Sequence, residues 1–148
     1  MSEAVRGILW GGLIAGILDI SDALFLWKMR GVSPMRGLQG IASGLLGKDA
    51  FSGGAGTAVL GAVLHFFIAF SAAAVYYFVL QAMPILERHP IPWGMVYGLV
   101  VFAVMNLVAL PLSRVRMSPY PLPVLLNLLF AHTILVGLPI ALMARRPN

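Results

Sequence analysis

The chain has no cysteine. That excludes disulfides, thiolate catalysis, iron–sulfur clusters, Cys-ligated zinc and thiol oxidoreductase chemistry, which needs paired cysteines. Charge is scarce as well. Asp, Glu, Lys and Arg make up 10% of the residues, against about 25% in an average soluble domain. Catalytic motifs are also missing. Ser21, Ser71 and Ser113 have no base at a familiar spacing, and there is no GxSxG elbow. Ser52-Gly53-Gly54-Ala55-Gly56 is not followed by Lys-Ser or Lys-Thr, so it is a turn and not a phosphate loop. No catalytic residue is assigned, and the expectation leans away from an enzyme.

What fills the chain is apolar. Of its 148 residues, 60% are hydrophobic, and the mean hydropathy is +0.94. A soluble chain of this length cannot bury that much apolar surface in one core, so lipid must cover the excess. The length suits a single domain over residues 1–148. A spanning helix needs about 20 mostly apolar residues. Four stretches qualify, at about 7–27, 56–83, 93–113 and 122–143. The expected fold is an all-α membrane protein, a bundle of four transmembrane helices. The first span is too long for the apolar region of a signal peptide and holds Asp19 and Asp22, so it reads as a retained helix.

The flanks agree with these spans. Trp10, Trp27, Tyr76, Tyr77, Trp93 and Tyr120 lie near span ends, where aromatic side chains with a polar handle favour the membrane interface. Pro84, Pro90, Pro92, Pro119 and Pro121 mark the turns, Pro123 suits a first helical turn, and Pro139 should kink the last span.

Residues 35–50 differ from the spans. Leu38, Ile41, Ala42, Leu45 and Leu46 recur at helical spacing, beside a second stripe of Gly37, Gly40, Gly44 and Gly47. The stretch is too short and polar to span, so an amphipathic surface helix or a re-entrant helix is expected, with a flexible Gly-rich loop as the alternative. Four glycines cost a helix on the order of 1 kcal/mol each, which close approach to another backbone would offset.

The net charge is +5 and the pI about 10.3. The basic residues sit between apolar spans, so the expected partners are the bilayer and its anionic headgroups, not nucleic acid. Four spans place both termini on one side. Arg6, Arg88, Arg145 and Arg146 share that side, against Lys28, Arg30, Arg36, Lys48, Arg114 and Arg116 on the other. The positive-inside rule then puts the two odd loops in the cytoplasm and the termini outside, although six against four leaves dual topology open.

A faint repeat runs through the chain. Trp10-Gly11 followed by Ser33-Pro34 parallels Trp93-Gly94 followed by Ser118-Pro119, and each half then carries one mid-span histidine, His65 or His132. Both odd spans hold GxxxG, at Gly12/Gly16 and Gly94/Gly98. Two parallel hairpins with residues 35–50 inserted in the first would produce this pattern, and so would chance.

Ionisable groups in hydrocarbon cost at least about 2.5–3.5 kcal/mol for Asp at a helix centre, so each asks for a reason. Asp19, His65, Asn106 and His132 fall near the middle of the four spans. Asp22 shares the face of Asp19, and Asn127 lies on a different face from His132. Mutual hydrogen bonding that fixes helix order is one expectation, with Asp19 paired to His65 or His132 and Asp22 the wetter carboxylate. Three functional readings stand beside it. His65 and His132 at equal depth suit axial haem ligation; the two histidines with Asp19 and Asp22 suit a transition metal; Asp19 and Asp22 suit a proton path. No local ligand spacing singles out a metal. Gly12, Gly16, Gly61, Gly94 and Gly98 are expected at close helix contacts.

The block Arg30-Gly31-Val32-Ser33-Pro34, with Leu38-Gln39 and Ile41-Ala42-Ser43-Gly44-Leu45-Leu46-Gly47, resembles a group of small bacterial inner-membrane proteins, loosely the YagU-type family. Met105-Asn106 and Pro111-Leu112-Ser113 add to the likeness, which covers most of the chain. It implies a multi-pass protein of the bacterial inner membrane and carries no activity, cofactor or site residue. The expected role is a non-enzymatic accessory or scaffold subunit or a homo-oligomer, with haem or metal binding and proton-coupled transport as alternatives.

Overall fold

Ser2 opens the first helix by accepting a hydrogen bond from the Val5 amide at 3.3 Å, and α1 then runs from Glu3–Met29. Ser33 caps α2 (Pro34–Leu46) in the same way, with Pro34 in the first turn where its missing N–H is harmless. A 3-10 turn (Gly47–Ser52) leads into α3 (Gly54–Ala82). A single turn, α4 (Ile85–Arg88), joins it to α5 (Pro90–Leu112), and α6 (Leu122–Ala144) closes the chain. This computed structural model describes residues 1–116 and 118–145. Arg146, counted above in the charge bias, lies outside the described residues.

Among the described residues the chain is helical, without strands. α1, α3, α5 and α6 are each long and apolar enough to cross a membrane. α1 sits centrally, against α3 on one side and α6 on the other; α5 packs on α6, and α2 lies across α3. Arg6 donates to the Arg145 carbonyl at 3.0 Å and ties the two ends of the chain together. At the opposite end of the bundle lie α2 and the segment after α5, joined where the Arg114 amide donates to the Gly44 carbonyl at 3.0 Å.

α5 and α6 each contain a π turn, at Met105–Ala109 and Ala131–Gly137. Each sits just ahead of a proline, Pro111 or Pro139. A proline ring inside an α-helix clashes with the carbonyl four residues back and leaves it without its donor. Widening the preceding turn relieves both problems: the Leu110 amide reaches back to Met105 and the Leu138 amide to Thr133. The kink expected at Pro139 therefore takes the form of a π turn, and Pro111 produces a second one.

The core lies toward the end that holds the termini. Ala15, Ala73, Tyr76, Leu80, Val136 and Ile140 fill it. Tyr76 is 0% exposed and its ring meets Tyr97 edge-on at 4.9 Å, so it is a core residue and not the interfacial aromatic its place near a span end suggests.

Candidate functional site

Small residues set how closely the helices approach. A Cβ at Gly12 would come within 2.9 Å of the Phe70 Cα, and one at Gly16 would strike the Phe66 ring. On the other pair, Gly98 lies against the His132 carbonyl and Gly137 against Gly94 and Gly98. Gly61 on α3 packs against the Leu38 carbonyl of α2, where no side chain would fit. The two halves thus share one relation: the second glycine of the odd helix's pair, Gly16 or Gly98, meets the next spanning helix at its histidine.

This packing brings some of the polar residues together. His65 Nε2 lies 2.9 Å from the Gly16 carbonyl, and His65 Nδ1 lies 3.9 Å from Asp19 Oδ2. The second distance is too long for a hydrogen bond. Asp22 Oδ2 accepts a hydrogen bond from Asn127 Nδ2 at 2.7 Å. The short bond therefore belongs to Asp22 and not to Asp19. The other two mid-span groups turn back on their own helices. Asn106 Nδ2 donates to the Phe102 carbonyl at 2.9 Å, and His132 Nδ1 lies 2.8 Å from the Leu128 carbonyl with its ring edge-on to Phe102. Both sit in π turns. The Asn106 Oδ1 and the Tyr76 hydroxyl are buried without a hydrogen-bond partner among the described residues.

The two histidines are not presented to a common ligand. Both ring nitrogens of His65 face α1, at Gly16 and Asp19, and one nitrogen of His132 is held by its own helix. Among the described residues no three His, Asp or Glu side chains converge so as to hold a metal ion.

Open space lies elsewhere. A cavity of about 700 Å³ sits under α2, within the roughly 300–1,000 Å³ range of ligand pockets. One wall is α3 at Leu64 and Ile68, and the facing wall is α5 at Met105 and Ala109. The glycine stripe of α2 borders it at Gly37, Gly40 and Gly44. These glycines do not all seat a second backbone. Gly37 faces the Trp27 ring, whereas a Cβ at Gly40 would meet nothing within 4 Å. Arg36 and Arg116 reach the cavity from two separate segments, and the Arg36 guanidinium stands 4.1 Å from the centroid of the Phe51 ring.

Gln39 holds α2 in place. It is buried, and its Nε2 donates to the Gly54 carbonyl at 3.0 Å and contacts Thr57 Oγ1 at 3.4 Å, while Thr57 donates to the Ala50 carbonyl at 2.6 Å. Nothing in the sequence pattern set Gln39 apart from Arg36 and Ser43, the other polar residues of α2.

Among the described residues, fold and site together define an all-helical protein with four helices long and apolar enough to cross a membrane, polar groups held within and between those helices, and a side cavity bordered by a short helix. The chain matches no protein-family model, no curated protein and no solved structure.

Proposed function

We propose that the chain is a non-enzymatic, YagU-like multi-pass protein of the bacterial inner membrane that serves as an accessory or scaffold subunit. The observation that carries this reading is where the mid-depth polar groups point. His65, Asp22 and Asn127 reach neighbouring helices, and Asn106 and His132 reach their own carbonyls. Groups engaged in this way hold helices in order; among the described residues Asp19 is the one mid-span ionisable group that makes no hydrogen bond. The outer surface supports assembly. In α5 only 6% of the most apolar stretch is buried, against 22%, 22% and 28% in α1, α3 and α6. Val96, Val100, Val104 and Leu107 present a continuous apolar face there. We read α2 as an interfacial helix and its end of the bundle, with Lys28, Arg30, Arg36, Lys48, Arg114 and Arg116, as cytoplasmic.

The absence of cysteine makes the assembly role directly testable. Single cysteines placed by Val100→Cys on α5 and Val63→Cys on α3 can be crosslinked in native membranes. The expected result is a discrete adduct, of two copies or of the chain with one partner, from Val100→Cys and not from Val63→Cys. No adduct from either position would overturn the reading.

A second reading has its own observation. Asp19 is 25% exposed, makes no hydrogen bond among the described residues, and has His65 at 3.9 Å. A carboxylate beside a histidine but not bonded to it is suited to pass a proton. Proton flux in proteoliposomes that is lost in Asp19→Asn would support this second reading; flux indistinguishable from empty vesicles would remove it.

A further inference from the structure

If the two hairpins packed symmetrically, α5 would lie along α3 as α1 lies along α6. It does not. α3 and α5 meet near the terminal end, where the Tyr97 hydroxyl donates to the Ala72 carbonyl at 2.6 Å and the Tyr76 and Tyr97 rings touch. Toward the other end Leu64 and Ile68 face Met105 and Ala109 across the cavity. The insertion that carries α2 roofs this gap without filling it. Its glycine stripe keeps the roof bare, most clearly at Gly40, where even a methyl group would meet open space.

The lining divides by chemistry. The deep walls are aliphatic. The rim carries Arg36, Arg116 and the side chains of Ser113, Ser118 and Tyr120. Neither arginine forms an ion pair among the described residues. Arg36 is steadied by the Phe51 ring, a cation–π contact that leaves its N–H groups available. Leu45 and Ile68, both lining residues, are 55% and 37% exposed, so the space is continuous with the surface that lipid covers. A guanidinium pair above an aliphatic slot matches a phosphate joined to a hydrocarbon chain: guanidinium binds phosphate oxygens through paired N–H donors, and the slot takes the chain.

We propose that this cavity binds one anionic phospholipid drawn from the surrounding bilayer, with its phosphate between Arg36 and Arg116 and an acyl chain between α3 and α5 under Gly40. The site rests on the reading that the chain lies in a membrane and is independent of the assembly role. A free soluble phosphate would leave the aliphatic slot empty, and a zwitterionic lipid would bring a second, positive group to the two arginines.

Native mass spectrometry of the purified full chain tests this by titration with phosphatidylglycerol, phosphatidylcholine or glycerol phosphate. One phosphatidylglycerol should be retained, roughly thirtyfold more tightly than phosphatidylcholine, as two arginines near an anionic group would give. Glycerol phosphate should not displace it. The variant with both Arg36→Gln and Arg116→Gln alters exposed residues only and should lose the preference between the two lipids. Gly40→Leu should lose both lipids while its circular dichroism stays unchanged. Should Gly40→Leu fail to fold, the arginine pair decides alone. Equal retention of the two lipids by the native chain, displacement by glycerol phosphate, wild-type preference in the arginine variant, or full phosphatidylglycerol binding by folded Gly40→Leu would each overturn the proposal. The crosslink at Val100→Cys lies outside the cavity, so failure of the lipid site and failure of the assembly reading show separately.

Discussion

Asn127 donates to Asp22 across 2.7 Å, and this bond fastens the first half of α6 to the last turns of α1. Further along the same two helices Gly11 faces Ile140 and Gly7 faces Ala144, and the contact ends where Arg6 donates to the Arg145 carbonyl. The polar pair therefore pins one end of a long small-residue contact whose other end is held by Arg6.

Its strength can be measured. Hydrogen bonds between membrane helices average about 0.6 kcal/mol and reach about 1.7 kcal/mol. The 2.7 Å length of this bond places it among the well-formed ones. A double-mutant cycle with Asp22→Ala and Asn127→Ala, read by unfolding in detergent, should give a coupling of roughly 1 kcal/mol. Ser21→Ala is the control, because among the described residues the Ser21 hydroxyl bonds only to the Ile17 carbonyl of its own helix. Independent, additive effects of the Asp22 and Asn127 changes would mean that the bond does not hold the helices.

Sidedness follows from the same architecture. α2 and the segment after α5 share one end of the bundle, and α4 shares the other with the termini. With no native cysteine, Lys48→Cys, Arg114→Cys and Arg88→Cys can be labelled with a membrane-impermeant maleimide in intact cells and in inverted vesicles. Lys48→Cys and Arg114→Cys should label in inverted vesicles, and Arg88→Cys in intact cells. Matching labelling of Lys48→Cys and Arg88→Cys would refute the four crossings.

The spans were legible because hydropathy is a sum over some twenty residues and tolerates local error. Their ends were less so. Ser2 and Gly54 extend α1 and α3 beyond the apolar stretch through capping and turn geometry, which hydropathy does not register. α2 was legible as a helix from its stripes. What its glycines face was not, because Gly37, Gly40 and Gly44 border a space created by the separation of two other helices. The partner of Asp22 was equally hidden. Asn127 lies 105 residues away, and helical periodicity ranks faces within one helix but says nothing about which helix will stand opposite. The π turns had a readable sign in Pro111 and Pro139; only the second was read as a distortion.

The most direct contrast between the tight and open parts of the molecule is between Gly98 and Gly40. Both are glycines inside helices, where replacement by alanine gains up to about 1 kcal/mol of helix propensity if nothing else changes. At Gly40 nothing else does change, since the new methyl group enters the cavity and meets no atom within 4 Å. At Gly98 the methyl group would overlap the His132 carbonyl and stand 2.7 Å from the Thr133 Cα, both of them backbone and neither free to rotate away. Relief there requires α5 and α6 to separate along the line that also holds Gly94 and Gly137. Overpacking of this kind costs about 1–3 kcal/mol. Gly40→Ala should therefore leave the melting temperature in detergent unchanged or raise it, and Gly98→Ala should lower it by several degrees. The same order should hold for Gly40→Val and Gly98→Val, with the gap wider. If Gly98→Ala melted with Gly40→Ala, the backbone contact between α5 and α6 would not exist as described.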